Sequence, residues 1–129
     1  MEKDKVISLL NYRGGSNSTV FTGRDTGESV RKKLELDSWD KKLKKNDDMR
    51  VIFLVPPGTT SLNPSFLLGL LYKSFKSFGS KEEFEKKYEL IFEDKDPDVI
   101  SVLEDNYEKG MIQAELNFHG KTGLDHIFS

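Results

Sequence analysis

A chain of 129 residues with no cysteine is sized for one hydrophobic core and can hold neither a disulfide nor a thiolate metal site. Charged residues make up 33% of it, yet the net charge is only −2, so nothing in the composition marks a nucleic-acid or anionic-membrane binder. The charged start, residues 1–5, leads into no apolar stretch long enough for a signal sequence or a membrane span, which predicts a cytoplasmic protein.

Residues 6–12 read as a strand, and Arg13-Gly14-Gly15-Ser16 as a turn returning it as a hairpin into 19–22. Asp25 or Thr22 is placed to cap a first helix with Val30 and Leu34 four apart, and Leu36 and Trp39 closing its packed side. Residues 37–48 are lysine-rich and polar. They predict an exposed connection or a short polar helix, its basic cluster a solvated face because Asp40, Asp47 and Asp48 stand beside Lys41, Lys42, Lys44 and Lys45.

Val51, Ile52, Phe53, Leu54 and Val55 form an unbroken apolar run, as expected of a strand covered on both faces. Pro56, Pro57 and Gly58 stop it. Thr59, Thr60 and Ser61 then place hydroxyls in a loop, and Asn63-Pro64 reads as N-cap and first helical residue, with Ser65 in the first turn. Free amides and the helix dipole at that end favour a phosphate or an acidic group. The helix over 64–78 carries Phe66, Leu67, Leu70, Leu71 and Phe78 toward the core. A neighbouring stripe of Leu68, Tyr72 and Phe75 is more apolar surface than a one-sided helix needs, so it packs on another helix or faces a partner.

Gly79 is the expected C′ residue, and Ser80 with Glu83 forms a capping box for a short helix to about residue 87. Residues 88–93 follow as a strand. Asp96-Pro97 opens another helix, with Val99, Val102, Leu103 and Tyr107 at helical spacing and Gly110 as its terminator. A last strand is expected over 112–118. Strands alternating with helices predict an α/β domain: a mixed sheet of four to five strands, helices mainly on one face, with right-handed crossovers.

Catalytic and metal chemistry is not apparent. His119 and His126 are seven apart in a glycine-containing tail, poor geometry for a metal. Gly120-Lys121-Thr122 resembles the end of a phosphate loop, but Glu115 stands where the loop's first glycine belongs. Residues 23–27, a glycine-bounded segment with Arg24 and Asp25, are an anion-binding candidate, or a capped turn in which Arg24 pairs with an acid.

Phe21-Thr22-Gly23-Arg24 before the first helix, and Asn63-Pro64-Ser65-Phe66-Leu67 at the later helix start, resemble the STAS-like group of bacterial domains, uncharacterised relatives of the STAS anti-sigma-factor antagonists. The likeness covers residues 6–110, with 111–129 as a C-terminal strand and tail to a single domain. It implies a non-enzymatic regulatory module without a cofactor, binding a protein such as a histidine-kinase-fold ATPase or anti-sigma factor. In the antagonists an Asp-Ser-Ser/Thr-Gly-Leu loop is phosphorylated on its first serine. Here Asn63 replaces the aspartate, Pro64 that serine and Phe66 the glycine, while Ser65 occupies the second hydroxyl position.

The leading expectation is therefore a protein-binding surface at the loop of Thr59, Thr60, Ser61, Asn63 and Ser65 and along Leu68, Tyr72 and Phe75, switched by phosphorylation. A small-ligand or nucleotide sensor using Arg24, Asp25 and the helix starts is the alternative. A small enzyme built on Arg24, Asp25 and a loop hydroxyl ranks third.

Overall fold

Strands pair only in parallel among the residues that the computed structural model describes, 4–13 and 18–119. β1 (Lys5–Ser8) lies against β3 (Val51–Val55), and β3 against β5 (Tyr88–Phe92), giving a three-stranded sheet in the order β1-β3-β5. β2 (Val20–Phe21) and β4 (Ser61–Leu62) pair separately as a two-residue ladder. The five strands thus form two small parallel sheets, not one mixed sheet of four to five.

The expected hairpin is absent for the same reason. After Ser8 the chain enters a single 3-10 turn, Leu10–Tyr12, and β1 takes its partner from β3. Parallel pairing requires a crossover, which α1 (Arg24–Lys33) and α2 (Leu36–Lys45) supply. They are the predicted first helix, ending at Lys33, and the short polar helix that is one of the two expectations for residues 37–48; Leu36 and Trp39, expected to close the first helix, belong to the second. Glu35 separates them in a left-handed conformation, φ 55°, and neither Thr22 nor Asp25 caps α1, whose N-cap is Gly23 at φ 91°.

Four other helix ends follow their sequence signals. Asn63 accepts from the Ser65 amide and opens α3 (Pro64–Phe78), and Gly79 closes it at φ 89°. Ser80 accepts from the Glu83 amide to start α4 (Lys81–Lys87), and Asp96 from the Asp98 amide to start α5 (Pro97–Phe118). The end of α5 does not. Gly110 is buried within it, and an added Cβ there would lie 3.0 Å from Leu67 Cδ1, so glycine permits close packing of α5 on α3 instead of terminating it. The expected strand over 112–118 is helix, with Met111, Ala114 and Phe118 turned inward.

One core joins these elements, with Phe53, Phe66, Phe75, Phe84 and Tyr88 among its largest members. Register alternation puts Ile7, Val51, Phe53, Val55 and Tyr88 on its sheet face. Val6, Ile52, Leu54 and Ile91 alternate to the other face, so among the described residues β3 is fully covered on one side only, a correction to the two-sided burial expected. No helix among the described residues is long and apolar enough to cross a membrane. Gly14, Gly15, Ser16, Gly120, Lys121, Thr122 and His126, singled out in the sequence, lie outside the described residues.

Candidate functional site

The loop from β3 into α3 leaves the carboxyl edge of the parallel sheet, the position at which open α/β sheets bind ligands. Gly58 turns it at φ 84° and donates its amide to Asp94 Oδ2 at 3.0 Å. The Asp94 carboxyl also accepts from the Asp96 amide, and these backbone bonds, Asp96's first, hold it below the usual carboxylate range. Two of the candidate hydroxyls are occupied structurally. Buried Thr59 donates to the Pro56 carbonyl at 2.8 Å, and Thr60 meets Thr19 Oγ1 at 2.9 Å while its amide donates to the Thr19 carbonyl.

Ser61 sits half-buried in β4, and Asn63 is half-buried as the α3 cap. Ser65 is exposed, its amide held by Asn63 Oδ1 at 2.8 Å. Of the hydroxyl positions named from the sequence, Thr60 and Ser65 therefore face solvent, and Ser65 alone lies in a helical turn.

The stripe expected to face a partner is packed internally. Phe75 is 1% exposed and meets Phe84 and Phe118, with ring centroids 5.8 and 6.0 Å away, while Leu68 is also buried. The unexpected last turns of α5 supply Phe118 as part of that cover. Tyr72 remains half-buried between the cations of Arg24 and Lys76, 5.8 and 5.4 Å from its ring centroid.

Arg24 and Asp25 do not frame a loop. Both are exposed first-turn residues of α1, and Arg24 pairs with Glu28 at 3.6 Å. Gly27 is buried at the crossing of α1 and α3, where an added Cβ would fall 2.2 Å from the Phe66 carbonyl oxygen. The segment read as an anion cradle is thus a helix contact.

Sequence reasoning missed a charged network under α1, α2 and α3. Arg31 is 4% and Asp40 6% exposed. Arg31 uses all five of its N–H donors: Nε and Nη2 on Asp37, Nη2 on Asp40 at 2.8 Å, and Nη1 on Ser74 and the Leu70 carbonyl. Ser74 and Tyr88 donate their hydroxyls to the two oxygens of Asp40. No buried side-chain polar atom among the described residues lacks a partner. Only the spacing of Asp37 and Asp40 from Arg31 across a break hinted at this, and charges at such positions ordinarily read as surface.

Burial, followed by the Asp40 charge and hydrogen bond, pushes the Tyr88 phenol well above its ordinary value of 10.0. Burial and a 2.7 Å bond to Glu85 do the same to Tyr107. In the unfolded chain both phenols ionise near pH 10, whereas the folded protein retains their protons. Their stabilising contribution is complete below that pH and declines above it. Urea unfolding across pH 9–11.5 should show a falling midpoint, with a shallower fall in Tyr107→Phe; equal slopes would contradict the linkage.

No family model, curated protein or solved structure matches the chain.

Proposed function

We propose that this protein is a non-enzymatic regulatory module that binds an amphipathic helix of a partner protein. The observation that carries this reading is the face of the parallel sheet that the described residues leave uncovered, where Val6 is 50% and Ile91 40% exposed and Ile52 and Leu54 lie half-buried between them. Parallel sheets are normally covered on both faces. Strand spacing and rise make this face roughly 14 Å by 16 Å, far short of the roughly 800 Å² per partner of a stable protein dimer. A single helix, about 10 Å wide with its side chains, fits it.

Phosphorylation in the residue 59–65 loop is the regulatory part of the proposal. Ser65 is its best substrate, because its side chain is exposed while the Thr59 hydroxyl is buried and bonded. Ser65 lies at the carboxyl edge of the sheet, off the open face itself, so a phosphate there, roughly −1.5 to −2 charge next to the positive end of α3, is tolerable to the fold and would act on a partner segment that reaches past that edge.

Affinity capture from native cells tests both parts, using wild type, Val6→Lys/Ile91→Lys, Ser65→Ala and Ser65→Asp proteins of matched circular dichroism. The double variant is expected to lose the partner retained by wild type and Ser65→Ala, and Ser65→Asp to retain less of it. Equal capture by all four overturns the reading. Ser65→Asp should also raise the melting temperature by roughly 1–4 °C in scanning calorimetry through the helix dipole; a decrease would contradict a favourable helix-end placement.

A further inference from the structure

Asp37, Asp40, Lys41 and Lys44 share one side of α2, and Lys73 and Ser77 come to the same place from α3. With Arg31 they line a cavity of about 270 Å³. Its acids and its bases are not equally committed. Asp37 and Asp40 are both engaged by Arg31, whose donors are exhausted on them, Ser74 and Leu70. By contrast, Lys41 and Lys73 make no ion pair with another described residue, and the Lys44 ammonium lies over the Phe78 ring, 5.7 Å from its centroid.

Four cations against two anions leave the lining with an excess of two positive charges. The same field is felt by Asp37, whose carboxyl is held below its ordinary range first by the Arg31 hydrogen bond and then by the charges of Arg31, Lys73 and Lys41. All three lysines are exposed residues, so their ammonium groups keep contact with water and pay little desolvation to meet an anion. Lysine ammoniums on opposing helices suit a tetrahedral dianion, which accepts hydrogen bonds from several directions.

We propose that this cavity binds a small phosphate monoester, held by Lys41, Lys44 and Lys73 with the Ser77 hydroxyl as an additional donor. Its volume is below that of ordinary drug-sized ligand pockets, which favours a small phosphorylated solute. The site is separate from the open sheet face and does not depend on the protein-binding proposal.

Amide chemical shifts of the full chain, titrated with glycerol phosphate, test the assignment. Saturable shifts are expected at Lys41, Lys44, Lys73 and Ser77. Lys41→Ala/Lys73→Ala should weaken binding at least about tenfold, corresponding to the loss of two close charge interactions. Lys45→Ala/Lys76→Ala removes the same charge from the same helices outside the cavity and should change binding less than about twofold if the screened field alone is altered. Equal weakening in both variants, or shifts spread over surface lysines without saturation, would overturn the site. Binding only to vesicles containing phosphatidic acid, with no response to the soluble monoester, would overturn the small-solute assignment.

Discussion

Gly27→Ala is expected to destabilise the protein by about 3 kcal/mol or more, at the upper end of overpacking costs. The new Cβ would fall 2.2 Å from the Phe66 carbonyl oxygen and 2.8 Å from the Leu70 amide nitrogen. Both obstacles are backbone within α3, so no side-chain rotation relieves them and the helices must separate. Gly69→Ala meets the reverse face of the same crossing, at 2.1 Å from the Arg24 carbonyl oxygen. Because one separation serves both methyl groups, the double variant should cost less than the sum of the single changes. Urea unfolding of the three variants checks this. Additive losses would imply independent local distortions, while a loss below about 1 kcal/mol for each, outside the usual overpacking range, would contradict the close crossing.

Arg31→Met is expected to cost about 3–5 kcal/mol, the range for breaking a buried ion pair by removing one partner. It leaves Asp40 with the Ser74 and Tyr88 hydroxyls but without its cation, in a site 6% exposed. Asp40→Leu strands Arg31 less severely, since exposed Asp37 still accepts from Nε and Nη2. The pair Arg31→Met/Asp40→Leu removes both buried charges and should be more stable than Arg31→Met alone. Denaturant midpoints of the three proteins provide the measurement; a double variant no more stable than Arg31→Met would show that uncompensated charge is not the dominant cost.

The helix ends governed by local chemistry were legible in the sequence. Asn63, Gly79, Ser80 and Asp96 each do what their residue type and neighbours indicate, because a cap is satisfied within a few residues. Features set by distant chain were not. The residue 13–16 turn signal suggested a hairpin, but β1 pairs with β3. Gly27 and Gly110 look like loop and stop signals until α3 is placed against them, when each becomes a point of close approach. α2 read as either a polar connection or a short solvated helix, and its packed side stayed hidden because one of its buried positions is Asp40, neutralised from α1 by Arg31. Ser65 was located correctly as an exposed helix-start residue, whereas its supposed apolar companions, Leu68 and Phe75, were covered partly by the tertiary packing of α3 and α5. The open sheet face was also hidden, since a run such as 51–55 gives no sign of which alternate side chains remain uncovered.

The pairing of Lys5 with Val51, and of Val51 with Tyr88, has a kinetic corollary. No strand of the larger sheet can zip against its sequence neighbour, so its assembly awaits closure of long loops and is slower than hairpin formation. During synthesis, β3 lacks one flanking strand until residue 92 has emerged. An N-terminal fragment stopping before Tyr88 therefore carries β1 and β3 without the strand that completes their order, and the native sheet is a late product of chain elongation.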